Sequence, residues 1–281
     1  MKKAGIIVNS TNTENYEYAS YFAEKLIKSG FSVFSCESEV KNSEVLKSEE
    51  NLFENSDMLI TLGGDGTLLR AAVKSAEYNL PIAGINLGRL GFLTAVQKGE
   101  EDILIKTLSG DFETEKRIMA KAEILKNGKK IKTLEALNDI VISKGDVLKM
   151  IHLKLYIDGV FVNDFYSDGL IFATPTGSTA YSLSAGGPVV YPSLNALTVT
   201  PVCSHTMTTR PMVIDGSQIV KVTAEISHDE DILLFADGGK RYPIENGDEA
   251  IITVSKNSAQ FIKVKNVSFY DVLNKKLAER K

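Results

Sequence analysis

Short apolar runs alternate with stretches of helical spacing over the first 110 residues. Residues 4–8 and 58–62 are apolar runs of strand length, and Phe31–Phe34 and Ile82–Leu87 read the same way. Between them, Tyr16–Ser29 sets Tyr18, Phe22, Leu26 and Ile27 on one helical face and is stopped by Gly30, and Leu68–Tyr78 repeats the pattern. Val45–Phe53, in a charged stretch, and Glu100–Leu108 predict two shorter helices. Strands alternating with helices imply an α/β domain with a parallel, Rossmann-like sheet covered on both faces.

From about Arg117 the period changes. Hairpin signals recur at Asn127-Gly128, Asp158-Gly159, Asp237-Gly238 and Asn246-Gly247, between runs rich in Val, Ile, Thr, Phe and Tyr such as Ile151–Ile157, Gln218–Ile226 and Ile251–Val254. They predict a second, mainly antiparallel, β-rich domain, a sandwich or layered sheet. The expected division is 1–115, 116–265 and a tail, 266–281, in which Val272, Leu273 and Leu277 restore helical spacing. That helical tail is expected to pack back on the first domain.

The stretch from Thr61 to Arg70 holds Gly63-Gly64-Asp65-Gly66-Thr67 between a predicted strand and a predicted helix. Glycines permit close backbone approach, and the free N–H groups and dipole of a helix N-terminus favour an anion such as phosphate. A carboxylate beside phosphate is repelled unless it takes a proton or holds a metal ion; the plain alternative is a tight turn with Asp65 capping the helix. Gly88–Thr94 is a second glycine-containing loop after a strand, another wall of the same cleft or, as spacing alone favours, a turn with Phe92 in the core.

Composition narrows the setting. With 281 residues, 43% hydrophobic, 24% charged and a net charge of −4, the chain reads as an ordered globular protein with no global attraction for nucleic acid or anionic membrane. Two cysteines, Cys36 and Cys203, make neither a disulfide framework nor a cysteine-rich zinc site. No signal-peptide core or membrane-spanning run is evident, so a reducing, cytoplasmic setting is expected. A Walker A loop, a G-x-G-x-x-G fingerprint and a G-x-S-x-G elbow are all missing, and His152, His205 and His228 are isolated, which favours satisfied or surface histidines over metal ligands.

Two further stretches carry chemistry. Asn138-Asp139 interrupts a probable strand with an amide and a carboxylate suited to vicinal ribose hydroxyls or an adenine edge; a bulge or strand-end turn is equally compatible. Asp168–Pro188 is rich in glycine and small hydroxyl residues and contains Tyr181, which can stack on a base. The strand-like run Leu170–Ala173 anchors this tract and favours a binding role over a surface loop.

Gly63–Thr67, Ile85–Thr94, Asn138-Asp139, Asp168–Pro188 and His205-Thr206 with Arg210-Pro211 together resemble the NAD kinase family, in order and spacing over nearly the whole chain. The first motif alone is shared with diacylglycerol and sphingosine kinases and, more loosely, phosphofructokinases. The resemblance implies phosphoryl transfer from ATP, with a divalent metal, most simply magnesium, to the adenosine-ribose 2′-hydroxyl of NAD. It also implies a homodimer or homotetramer, while the net charge of −4 argues for no nucleic-acid or membrane partner.

By position, the resemblance makes Asp65 the group that activates the hydroxyl and puts Gly63, Gly64, Gly66 and Thr67 near phosphate. Asp65, Gly66, Arg70, Asn138, Asp139, Lys149, Asp168, Thr176, Thr179, Ala180, Tyr181, Ser182, Leu183 and Ser184 become the NAD set, in part serving a neighbouring subunit. No metal-ligating residue is assigned. The chain departs from the family at Asp139, where Glu is common, at Tyr166, where a basic residue is common and Lys149 is a partial substitute, and at Gly239, where a polar side chain is frequent. A lipid kinase and a non-catalytic NAD(P)-binding sensor are the rivals; no basic amphipathic helix serves the first, and Asp65 counts against the second.

Overall fold

The computed structural model describes residues 1–10, 12–88, 91–145, 149–205, 209–225, 231–265 and 268–278. Arg89, Leu90, Thr206, Ile226, His228, Val267 and Arg280, from stretches discussed above, lie outside the described residues. The chain divides into one unit of residues 1–116 with 258–281 and another of residues 117–257.

The first unit runs β1 (Lys3–Val8), α1 (Thr13–Lys28), β2 (Ser32–Ser35), β3 (Glu44–Val45), α2 (Glu49–Asn55), β4 (Met58–Gly63), α3 (Asp65–Glu77), β5 (Pro81–Asn86), β6 (Val96–Gln97) and α4 (Glu101–Ser109). Its strands lie parallel in the order β3-β2-β1-β4-β5, with β6 beside the end of β5. All six residues of β4 are buried, as a central strand covered on both faces requires. The Asn12 side chain caps α1, which turns Tyr18, Phe22 and Leu26 into a core shared with Ile6 and Ile60. Helix α2 starts four residues later than its spacing predicts, because Val45 pairs with Ser35 and Ser48 supplies the N-cap.

The second unit continues with β7 (Thr114–Lys126), β8 (Lys129–Ala136), β9 (Asp139–Lys144), β10 (Ile151–Ile157), β11 (Val160–Ser167), β12 (Gly169–Ala173), α5 (Tyr181–Ser184), β13 (Ala196–Val202), β14 (Met212–Asp215), β15 (Val220–Glu225), β16 (Ile232–Ala236), β17 (Lys240–Ile244) and β18 (Glu249–Ile262). One antiparallel sheet has the order β14-β13-β12-β9-β16-β17; in the other set β11-β10-β15-β18 are neighbours and the β7–β8 hairpin joins at β18. Leu153, Phe165, Phe172 and Leu234 belong to the core these strands enclose.

Three of the four hairpin signals hold, with Asn127/Gly128, Asp158/Gly159 and Asp237/Gly238 all at positive φ; the first two close two-residue hairpins, and the third closes a three-residue one, residues 237–239, because Ala236 pairs with Lys240. Asn246-Gly247 is not a hairpin. Only Gly247 has positive φ there, and the flanking strands β17 and β18 belong to different sheets.

Residues 258–265 group with the first unit, whereas composition extends the β-rich stretch through them. The reason is that β18 is long: its early residues pair with β15, and Gln260 and Phe261 pair in parallel with Pro81 and Ile82 of β5. The helical tail forms as α6 (Phe269–Ala278), within the first unit but with none of its residues buried. Among the described residues no helix is long and apolar enough to cross a membrane.

Candidate active site

In the first unit, the glycine turn joins β4 to α3 as its spacing predicts. Gly64 is the N-cap and makes no side-chain cap bond, so Asp65 is the first helical residue and does not cap the helix. Its carboxylate turns to the loop after β5: Oδ2 accepts the N–H of Phe92 at 2.6 Å, and Oδ1 accepts those of Leu93 at 3.2 Å and Thr94 at 3.3 Å. A Cβ on Gly91 would stand 1.8 Å from Oδ1, so only glycine leaves the carboxylate its seat. This corrects the core reading of the loop, in which Phe92 is only half-buried. An ionised carboxylate has about four acceptor positions. The three amides leave one, on the half-buried Asp65 Oδ2, for a hydroxyl donor.

Around Asp65, Gly63 is buried and packs against the Thr67 hydroxyl, Gly64 is half-buried, and Gly66 and Arg70 are exposed along α3. Gly63, Gly64, Asp65, Gly66 and Thr67 therefore come together at one strand-to-helix turn, and Arg70 lies one turn further along the helix.

In the second unit, Asn138 and Asp139 begin β9 with a fully engaged backbone. The Asp237 carboxylate accepts the N–H groups of Leu137 (2.8 Å), Asn138 (2.8 Å) and Asp139 (3.2 Å). The carbonyls of Leu137 and Asn138 accept from the Thr174 hydroxyl (2.6 Å) and N–H (2.8 Å), and that of Asp139 accepts the Asp237 N–H (3.0 Å). Gly177 presses on the Asn138 carbonyl, where a Cβ would be 2.1 Å away. The Asn138 side chain is half-exposed, while Asp139 is only 5% exposed. Burial, and secondarily the Asp237 carboxylate, push the Asp139 carboxyl up to about 7.

The Asp168–Pro188 tract is not uniformly open. Thr176, Ser178, Thr179 and Ser182 are buried. Ser182 faces the hydroxyls of Thr200 and Thr198 at 3.0 and 3.4 Å, Thr179 donates to the Thr176 carbonyl at 3.3 Å, and Thr176 accepts from Arg117 at 3.4 Å. Those hydroxyls shape the tract. Tyr181 and Ser184 are exposed, Ala180 and Leu183 half-exposed, and Asp168 pairs with Lys144 at 2.6 Å.

Lys149 is exposed on the loop before β10. Tyr166 stacks on His152 with ring centroids 4.3 Å apart, and His152 Nδ1 lies 2.8 Å from Glu225. The sequence pattern gave Asp237 only a turn role, and gave none to the Thr174 hydroxyl or the individual amides of residues 92–94. Thr174 lies within the Asp168–Pro188 tract and residues 92–94 within the Gly88–Thr94 loop, but backbone amides leave no mark of their own in a sequence.

Residues 4–112 match the ATP-NAD kinase N-terminal domain, and residues 137–264 match the ATP-NAD kinase C-terminal domain. The chain belongs to the ATP-NAD kinase family. An NAD kinase of Thermoanaerobacter sp. (strain X514) is 38% identical over 285 residues, with both chains fully covered. Among solved structures, an NAD kinase from Archaeoglobus fulgidus in complex with ATP superposes with TM-score 0.76 at 29% identity over 98% of each chain. Yeast NADH kinase complexed with NADH shares the fold, with TM-score 0.84 at 24% identity over 98% of this chain and 86% of that one. Within the ATP-NAD kinase domains, Asp65 falls in the N-terminal match and Asn138, Asp139 and Asp168–Pro188 in the C-terminal one.

Proposed function

We propose that this chain transfers the γ-phosphate of ATP to the 2′-hydroxyl of the adenosine ribose of NAD, giving NADP and ADP. The observation that carries the reading is the Asp65 carboxylate, fixed by three amides at a strand-to-helix turn and left with one acceptor position. Family membership and full-length similarity to an NAD kinase support it. Asp65 accepts the proton of the attacking hydroxyl. A carboxylate is a weak base, so its help is greatest when transfer to phosphorus is well advanced.

Amides at the Gly63–Thr67 turn neutralise phosphate charge, Asn138 and Asp139 hold adenosine, and Tyr181, Ala180, Leu183 and Ser184 with Asp168 complete the NAD contacts. Among the described residues no group of three or more His, Cys, Asp or Glu could hold a metal ion. As the family resemblance implies, a divalent ion, magnesium, would bind with the triphosphate and supply further neutralisation of its charge. The enzyme works as a cytoplasmic homodimer or homotetramer.

The test is incubation with ATP, magnesium and NAD followed by detection of NADP, with NADH and polyphosphate in parallel arms. NADP formation is expected. A chain that binds NAD without forming NADP overturns the reading.

A further inference from the structure

The Asp237–Gly238 turn lies outside every residue given a role so far, yet its carboxylate holds all three amides at the start of β9. The three-residue turn closing β16 and β17 holds Asp237 at φ near +50°, where Asn serves as well as Asp. Turn geometry therefore does not require the charge. The charge is instead spent on the N–H groups of Leu137, Asn138 and Asp139, while Thr174 takes the carbonyls of the first two. Charge-assisted hydrogen bonds of this kind are stronger and shorter than neutral ones.

We propose that Asp237 is a positioning residue for NAD: it fixes the Asn138–Asp139 backbone, and with it the directions of the two side chains that meet adenosine. The inference rests on the assignment of Asn138 and Asp139 to adenosine binding. Its second effect is electrostatic. Asp237 is the charged group facing Asp139 from the neighbouring strands, and the Tyr181 hydroxyl from α5 is the other titratable group within its influence. Burial and, secondarily, this carboxylate raise the Asp139 carboxyl to about 7, so below that pH Asp139 enters the NAD site as a hydrogen-bond donor to an adenine ring nitrogen. NAD affinity accordingly falls as pH rises through the Asp139 titration.

The experiment is calorimetric NAD binding from pH 5.5 to 9 for the full chain and the Asp237→Asn, Asp139→Asn and Asn138→Ala variants, with ATP binding as a control. Asp237→Asn keeps the turn and removes the charge. It is expected to weaken NAD about tenfold at pH 7.5, the scale of one lost hydrogen bond, and to leave ATP unchanged. It should also move the pH midpoint of NAD affinity downward, a shift that a purely structural role would not produce. Carbon-13 spectra of the unaltered chain should show one carboxyl, lost in Asp139→Asn, titrating near 7.

If Asn138→Ala weakens NAD but Asp237→Asn leaves both affinity and midpoint unaltered, the positioning role is overturned and the adenosine assignment stands. If Asn138→Ala binds NAD normally, the adenosine assignment falls and the positioning role with it. A carboxyl titrating near 4 in place of 7 overturns the electrostatic part.

Discussion

Asp65 takes its direction from backbone amides, and Gly91 makes room for it, so two residues 26 positions apart form one device. Asp65→Asn keeps the shape but presents an N–H₂ to at least one amide and cannot take a proton. General-base contributions are typically about 10²- to 10⁴-fold, so turnover should fall by that factor, about 3–5 kcal/mol in barrier, with the fold kept. Near-normal turnover of this variant in an NADP-formation assay would remove Asp65 from the chemistry. Gly91→Ala tests the seat. Its methyl displaces the carboxylate by more than an ångström, and misplacement on that scale costs about 10²-fold in kcat; circular dichroism should be unchanged. The glycine motif was legible because strand, turn and helix each leave a pattern. The amides that hold Asp65 were not.

At the scale of elements, the start of β9 is where polar residues were conspicuous in an apolar run, and the structure explains them as a strand end clamped by a hairpin turn and by Thr174. Asn138→Ala removes an amide whose backbone is already fixed, so it should weaken NAD binding more than ATP binding in calorimetry while the melting temperature holds.

Asp139 also sets a pH dependence of stability. Its carboxyl sits near 7 in the folded chain and near 3.8 when free, so between those values the folded state binds more protons than the unfolded one. Stability therefore falls as pH rises from about 4 to 7, by on the order of 2–4 kcal/mol, and then levels off. Asp139→Asn should flatten that fall; a melting-temperature profile parallel to that of the unaltered chain would contradict it. Elements with strong periodicity, such as α1, β4 and β10, were readable from spacing. Helix α2 was displaced because a two-residue strand and a serine cap carry almost no periodic signal. The Asn246-Gly247 turn was misread because the same dipeptide serves hairpins and sheet-changing corners.

Across the whole molecule, alternation of strands with helices against recurring hairpins was enough to read a parallel α/β fold followed by an antiparallel β-rich one. What spacing does not carry is the destination of a strand, and β18 shows why: one continuous apolar pattern serves two sets of partners. Its last residues matter energetically. Phe261 and Ile262 are 8% and 4% exposed, and their burial is worth about 3–6 kcal/mol, a large part of a typical net stability of about 5–15 kcal/mol. A chain ending after Asn257 should therefore lose cooperative thermal unfolding of the first unit in calorimetry, whereas one ending after Lys265, which keeps the β5 pairing and gives up α6, none of whose residues is buried, should melt much as the full chain does.

Because the first unit is interrupted by residues 117–257, it cannot be completed until the residues from 258 onward have been made. Ribosomes add about 5–20 residues per second, so the 141 intervening residues (257 − 116) hold the growing chain open for about 7–28 s. Throughout that interval the stretch of β5 that later meets Gln260 and Phe261 is an unpaired sheet edge on a nascent chain, available to any neighbouring polypeptide. The residue at its start is Pro81, which has no N–H to offer, so the waiting edge is already blunted against the wrong partner.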